Sequence, residues 1–341
     1  MTTFSDPTFN AALYEAHRPR YLPTVVDRIL QYHRAHQPLA STSVTALKPP
    51  PVAVDLATGT GQLCTLLSPH FDQVYGLDVS PTMLSAVKPM PNVTYALGSA
   101  EGPTWPSAIV PGSVDVITVA QGAHWFDRPR VWRQLHRMLR PAGTLAIIGY
   151  SFPTLKHKPR ATALLWNLAT RSVLRDQYWE KGRQEVNVLY GHWQLPFDDV
   201  QRLYSPPSLL KLHTDSAQTE SSRSLDTSDL QAQDLARFKE SQTGNGQFRA
   251  ASEPFMAASM TPTQLQAYLE TWSAYKRYID DHPEDTSLIR RCVDQMLAAE
   301  GCVAWDQPWP IEFNHVLILA TNPTHGHRGE GGQGVDGQNS S

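Results

Sequence analysis

Two acids and a pair of glycines stand where a nucleotide-derived ligand can be held. In VAVDLATGTGQLC, residues 52 to 64, an apolar run carries Asp55 and turns at Gly59 and Gly61. A second acid, Asp78, follows Gly59 by 19 residues, in YGLDVS. That interval suits a carboxylate that accepts hydrogen bonds from ribose hydroxyls in a strand–turn–helix unit. The glycine frame is not a complete dinucleotide fingerprint, because Cys64 stands where the third glycine belongs. No GK[ST] follows it, so it is not a phosphate-cradling P-loop either. Asp55, four positions ahead of Gly59, would repel a pyrophosphate and suits an ammonium group. The ligand called for has a ribose, no pyrophosphate and a cation near Asp55. S-adenosylmethionine has all three, and NAD does not.

A further group of reactive side chains follows in AQGAHWFD. His124 is the natural candidate for a general base, since an imidazole titrates near ~6.5. It reads equally as a histidine that packs and orients its loop, because no acidic partner stands out in the sequence. Trp125 and Phe126 read as pocket wall or core. No HxH, HExxH or carboxylate cluster has the spacing of metal ligands, so no metal is expected.

The elements that would carry these residues alternate between strand and helix from 52 to 150. VAVDLA, QVYGLDV, NVTYALG, SVDVITVA and GTLAIIGY read as strands. QLCTLL, SPTMLSAV and PRVWRQLHRML read as helices, with Ser80 as an N-cap and Pro81 at the first helical position. Such alternation predicts a parallel sheet covered on both faces, with ligands at the carboxyl ends of its strands. Ahead of it, YLPTVVDRILQYH has helical spacing at Val25, Ile29 and His33. Beyond residue 155, TPTQLQAYLETWSAYKRYI is the best-signed helix. Thr261, Pro262 and Gln264 give it a capping box, and Leu265, Tyr268, Leu269, Trp272, Tyr275 and Ile279 share one face. Its aromatic stripe is either core packing or the roof of a pocket. FNHVLILAT predicts a late strand returning to the sheet.

The divisions expected are therefore an N-terminal helical cap and linker (1–50), a donor-binding core (51–155), a helical acceptor-side insertion (156–300) with a mobile polar loop at 214–246, a returning strand (301–323) and a disordered tail (324–341). The chain of 341 residues is long enough for one large core with an insertion. A net charge of −3 gives no basic face for nucleic acid. No apolar run is long enough to span a bilayer. Three cysteines without a CxxC pair, and an N-terminus without a secretory pattern, point to a cytoplasmic protein. The oligomeric state is not legible.

The sequence resembles the class I S-adenosylmethionine-dependent methyltransferases, and within them the fungal trans-aconitate and cantharidin-type small-molecule enzymes. The pieces that carry the resemblance are YEAHRPRYLP, VDLATGTGQ, VYGLDVSPTML, VTYALGSAEG, SVDVITVAQGAHWFD, RMLRPAGTLAIIGY and YLETWSAY. It departs at Ala57-Thr58, where that family often has Gly-Cys. The resemblance implies a Rossmann-like sheet, mostly parallel with one antiparallel late strand, bearing an inserted helical cap. It implies that Asp55, Ala57, Gly59 and Gly61 hold the methionine part of S-adenosylmethionine and that Asp78 takes the ribose. Met83, Ser99, Ala100 and Glu101 would border the adenine, Gln121 would lie beneath the methyl-bearing end, and Tyr14 and Arg18 would close over the donor. A small-molecule acceptor would meet His124, Trp125, Tyr150, Trp272 and Tyr275, with Arg18 or Arg128 available to pair with a carboxylate. Trp166, Trp179, Trp193, Trp272, Trp305 and Trp309 would suit a large apolar acceptor. The reaction implied is O-methylation of a carboxylate or hydroxyl of a metabolite. A cyclase or pericyclase that binds the donor without transferring methyl is the alternative.

Overall fold

The computed structural model describes residues 4, 6, 9–37, 51–103, 105–175, 177–205 and 240–324. Two helices come first, α1 (Ala11–His17) and α2 (Pro23–Ala35). Then strand and helix alternate: β1 (Val52–Leu56), α3 (Gln62–Leu67), β2 (Gln73–Asp78), α4 (Pro81–Leu84), β3 (Val93–Leu97), β4 (Val114–Ala120), α5 (Arg128–Met138) and β5 (Leu139–Leu155). The second half carries α6 (Pro159–Thr170), α7 (Arg183–Asn187), β6 (Asp198–Ser205), β7 (Gln247–Ala250), β8 (Ala258–Met260), α8 (Pro262–Glu270), α9 (Ser273–Asp281), α10 (Leu288–Ala299) and β9 (Trp309–Thr321).

Among the described residues all nine strands join one sheet, in the order β3-β2-β1-β4-β5-β9-β6-β7, with β8 on β9. Strands β1 to β5 pair in parallel, and β9 runs antiparallel to both β5 and β6. This is the Rossmann-like sheet with one antiparallel late strand. Register places Leu56 beside Leu77 and Val119, so the carboxyl ends of β1, β2 and β4 open on one edge. The topology reverses at β1, between β2 and β4, which makes that edge a crevice.

Burial follows from the near-continuous apolar strands expected of a parallel sheet covered on both faces. One face packs against α5 through Val131, Leu135 and Met138, and the other against α2 and α3 through Val26, Ile29, Leu63 and Leu67. A separate core lies beyond the sheet, where α6 and α8–α10 enclose Phe152, Leu165, Trp272, Ile289 and Phe313. Strand β5 runs from one core into the other, with a register shift against β9 between Tyr150 and Pro153. Tyr150 therefore sits where the sheet meets the helical part.

Three expectations need correction here. The helix foreseen from Pro262 onward is two helices. Its capping box at Thr261 and Gln264 is present, but the chain breaks at Thr271-Trp272, where Trp272 is extended at φ −70°, ψ 136°. The Thr271 hydroxyl donates to the Tyr268 carbonyl at 2.6 Å, and Arg18 Nη2 donates to the Thr271 carbonyl at 3.0 Å. Those bonds, with the burial of Trp272 against Phe152 and Trp179, replace the helical continuation. Second, β6 was not foreseen, because DDVQRLYS reads as polar. Its Arg202 is fully buried and donates to the carbonyls of Asn245, Tyr190 and Trp193. Third, the polar loop expected at 214–246 lies outside the described residues up to 239, but within 240–246 the chain is tied down at Gln242 and Asn245. Gln242 is buried and accepts from the Tyr204 hydroxyl at 2.6 Å. The linker before residue 51 and the tail lie largely outside the described residues.

Candidate active site

The crevice holds an elongated cavity of about 1020 Å³, counting its open mouth. Asp55, Ala57, Thr58, Gly59, Thr60, Asp78, Ser80 and Met83 line it from the β1 and β2 ends, with Gln121 and Trp125 beyond β4 and Tyr14 and Arg18 above. The glycine turn works through backbone conformation. Gly61 caps α3 in the left-handed region at φ 80°, and a side chain there would run into the Tyr95 hydroxyl. Ala57 is also left-handed, at φ 52°, a conformation that glycine adopts at no steric cost.

The two acids are both buried, in different ways. Asp78 Oδ2 accepts from the Gly59 N–H and Oδ1 from the Ser80 N–H, each at 2.8 Å. Burial pushes its carboxyl up, and those two backbone bonds pull the other way. Asp55 is 1% exposed and forms the floor. Its oxygens accept from the Thr118 and Thr58 hydroxyls, both at 2.6 Å. Burial raises its carboxyl to about 6 against those bonds. Asp55 thus offers the cavity a buried negative charge beneath its surface, a narrower role than the open ammonium contact foreseen.

The cover comes from the N-terminal segment. Glu15, which the sequence reading passed over, accepts from the Thr60 hydroxyl at 2.5 Å and from Gln62 Nε2 at 3.2 Å. These bonds pin α1 across the glycine turn. The Ser80 hydroxyl donates to the Phe4 carbonyl at 2.6 Å, and Phe4, Phe9 and Tyr14 pack edge to face. Arg18 lies 4.7 Å from the Tyr14 ring and donates to Tyr150 Oη at 3.4 Å, while its Nε is buried without a hydrogen-bond partner. Burial works against its charge, but the Tyr14, Tyr150 and Tyr268 phenols around it hold its guanidinium above the usual range.

A second cavity of about 520 Å³ adjoins the first and shares Phe4, Tyr14, Arg18, Gln121 and Trp125 with it. His124, Trp179, Arg183 and Trp272 complete its wall, together with Glu180, Val186 and Ser273. Arg183 is stacked over Phe152 at 4.0 Å and over Trp179 at 4.8 Å. Its Nε donates to Asn187 Oδ1 at 2.9 Å, and its Nη2 is buried without a partner among the described residues. Burial lowers it to about 10, which leaves it charged at neutral pH. His124 Nδ1 lies 3.2 Å from Tyr190 Oη. Burial, and then the Arg183 charge, push His124 down to about 3, so the ring is neutral.

The residues foreseen for the site divide accordingly. Tyr14, Arg18, Asp55, Ala57, Gly59, Asp78, Met83, Ala100, Gln121, Trp125 and Tyr150 line the first cavity, and His124 and Trp272 the second. Gly61 shapes the turn without lining either cavity. Ser99 and Glu101 do not line them: the Ser99 carbonyl takes the Trp105 indole, and Glu101 accepts from the Asp127 N–H. Gly98 lines the first cavity in their place. Tyr275 is carried away by the break at Thr271-Trp272 and donates to the Thr286 carbonyl at 3.2 Å. Arg128 stacks on Trp193 at 5.1 Å, outside both cavities. Arg183 is the cation found in the wall of the second cavity. Of the six tryptophans only Trp179 and Trp272 reach a cavity. Trp166, Trp305 and Trp309 belong to the helical core, and Trp193 packs on Tyr190.

Gln121 joins the two cavities. It is left-handed at φ 55°, and its amide pairs with Tyr150 as strand backbone would, donating to the carbonyl at 2.8 Å and accepting from the N–H at 3.2 Å.

S-adenosylmethionine fits the first cavity by its donor set. The lining carries two carboxylates and the hydroxyls of Thr58, Thr60 and Ser80, with Arg18 as its one cation. That set suits a ribose and an ammonium and opposes a polyphosphate. Asp78 would hold the ribose, Asp55 would face the ammonium from below, and Met83, Val79 and Ala100 would flank the base.

Comparison with known proteins agrees. Residues 54–147 match a methyltransferase domain. A Saccharomyces cerevisiae protein described as a probable S-adenosylmethionine-dependent methyltransferase, CRG1, is 23% identical over 330 residues, 93% of this chain and 97% of that protein. The methyltransferase ptaI of Pestalotiopsis fici is 30% identical over 169 residues, and there the chain spans about half of its relative (46% of this chain, 48% of the other). A solved protein from Anaeromyxobacter dehalogenans, assigned as a type II methyltransferase, superposes with a TM-score of 0.58 at 20% identity, over 90% of this chain and 99% of that one. That likeness speaks for the fold. Among the described residues no helix is long and apolar enough to cross a membrane.

Proposed function

We propose that this S-adenosylmethionine-dependent methyltransferase O-methylates a carboxylate of a small molecule held in the second cavity. One observation carries this reading. Two buried guanidinium groups, Arg18 and Arg183, line that cavity, and each keeps a nitrogen without a hydrogen-bond partner among the described residues. A buried charged donor left unpaired costs about 1–3 kcal/mol or more, and a ligand carboxylate removes that cost. With His124 neutral and Glu180 the one acid in its wall, the cavity carries a net positive charge.

Bound S-adenosylmethionine supplies a methyl carbon already activated by its sulfonium. The protein's part is then to align an oxygen and exclude water. A carboxylate is ionised at neutral pH and needs no base. Arg18 lines both cavities and would hold the reacting carboxylate at their junction, beside Gln121 and Tyr14. Arg183, stacked over Phe152 and Trp179, would hold the acceptor from the far wall. Phe4, Tyr14 and Trp125 close the junction to solvent. A hydroxyl acceptor would instead need His124 as a base, and an imidazole held near 3 is a poor one. The family match favours transfer over a cyclase that merely binds the donor.

The test incubates the purified protein with methyl-labelled donor and paired panels of carboxylic acids and their alcohol analogues. Base-labile methyl esters are expected from the acids, with S-adenosylhomocysteine released in equal amount. With the acceptor so found, His124→Asn should retain the rate within about tenfold, with no titration near neutrality. Loss of about 10²–10⁴-fold together with such a titration is the signature of general-base catalysis and would overturn the carboxylate reading.

A further inference from the structure

Tyr190 lies outside the cavities but touches one of their walls. It is fully buried, and its Oη lies 3.2 Å from His124 Nδ1, its one hydrogen-bond partner among the described residues. The backbone is set to bring it there. Leu189 and Tyr190 are both left-handed, at φ 50° and 55°. Non-glycine residues in that region are strained by about 1–3 kcal/mol each and persist only where their surroundings hold them. Here the Tyr190 N–H donates to the Glu185 carbonyl at 2.9 Å, and the buried Arg202 takes the Tyr190 carbonyl through Nη1 at 3.0 Å and the Trp193 carbonyl through Nη2 at 2.6 Å. Gly149 on β5 leaves room for the ring, since a side chain at that position would collide with it.

We propose that Tyr190 is a positioning residue that donates its hydroxyl proton to His124 Nδ1, fixing the imidazole with its own proton on Nε2. This rests on the reading of the second cavity as the acceptor's. The argument is one of proton counting. A buried phenol held well above its ordinary range keeps its proton. If Tyr190 accepted from an Nδ1–H, its own hydroxyl proton would be buried with no acceptor, a cost on the scale of a lost hydrogen bond. If it donates, both groups are satisfied and the single proton of the neutral ring sits on Nε2. Among the described residues no protein atom partners Nε2, and His124 lines the cavity. The histidine then presents an N–H donor to an acceptor oxygen. It cannot take a proton at Nε2, because that nitrogen already carries one. A residue placed like a general base thus joins Arg18 and Arg183 as a donor to an anion.

The test is long-range nitrogen–proton spectroscopy of the ¹⁵N-histidine protein with S-adenosylhomocysteine bound and no acceptor, so that it can fail independently of the proposed reaction. His124→Asn identifies the signals. The expected pattern is an unprotonated Nδ1 and a protonated Nε2. Tyr190→Phe, which keeps the ring and removes the hydroxyl, should draw the two nitrogen shifts toward each other as the second tautomer appears, with S-adenosylhomocysteine affinity within about twofold of the parent as the sign of an intact fold. Should that variant not fold, a slowly exchanging Tyr190 hydroxyl proton that vanishes in His124→Asn reports the same bond. A protonated Nδ1 in the parent protein overturns the proposal, as does a folded Tyr190→Phe with an unchanged pattern or the absence of the hydroxyl signal.

Discussion

The two cavities share a wall yet are built on opposite terms. On the donor side nearly every polar group is answered from within the protein: Asp78 by the Gly59 and Ser80 N–H groups, Asp55 by the Thr58 and Thr118 hydroxyls, Gln121 by the Tyr150 backbone. On the proposed acceptor side Arg183 Nη2 is left unanswered among the described residues, as is Nε of Arg18, which lines both cavities. The first region is preorganised by strand ends and a turn, and its shape survives without a ligand. The second is drawn from a loop, a five-residue helix and a helix break, and on the proposed reading it is completed by what it binds. A common cofactor can be read by backbone geometry, whereas a particular acceptor is read by side chains free to differ between enzymes.

The contrast is sharpest at Arg183. Arg183→Met keeps much of the stacked volume and removes the charged donor. With the acceptor found above, kcat/KM should fall by roughly 10- to 150-fold, the equivalent of about 1.5–3 kcal/mol. S-adenosylhomocysteine affinity by calorimetry should not change, and a matching loss there would dissolve the division between the two cavities. Asp78→Ala is the mirror experiment. It should weaken S-adenosylhomocysteine by about 1–3 kcal/mol, and unchanged affinity would move the ribose role to another residue.

The floor of the donor cavity gives a subtler reading. Asp55 has its carboxyl at about 6, above the unfolded value, because burial opposes its charge. In the empty protein its contribution to stability is therefore full below the unfolded value and is lost as pH rises through about 6. A cationic ligand above it reverses the preference, so donor affinity should fall as pH drops from 7.5 to 5, by roughly tenfold for each unit the ligand shifts the group. Titration calorimetry over that range checks this, and Asp55→Asn should flatten the profile. The smallest effect belongs to Ala57. Its left-handed backbone costs about 1 kcal/mol that glycine would not incur, so Ala57→Gly should raise Tm by about 1–2 °C. A lower Tm would mean that the Ala57 methyl contributes packing that outweighs the strain.

The same division decides what could be read from sequence. Asp78 and Gly59 were legible because a strand–turn–helix unit fixes their relation over a short interval. Glu101 was misplaced by proximity: it lies one residue from Ala100, which does line the cavity, but it turns to cap the Asp127 N–H. Tyr275 was misplaced by an unseen break, since helical periodicity counts residues correctly only while the helix lasts. Arg183 and Glu15 gave no signal, because each acts across the fold on partners that no local spacing reveals. Arg202 hid a strand, since its charge argues against burial until three carbonyls are found waiting for it.

The N-terminal helix has a consequence for how the two ligands arrive. Glu15 ties it to the glycine turn, and Arg18, at its carboxyl end, reaches across to the helix break at Thr271. The helix is seven residues long, too short to hold its shape unaided. Both cavities draw on this segment for their lining, through Phe4, Tyr14 and Arg18, so order gained there on binding one ligand serves the other. Whichever binds first therefore bears the ordering entropy, and the second meets a cover already settled. Donor and acceptor should then tighten one another's binding by the same factor, without a direct contact having to account for it.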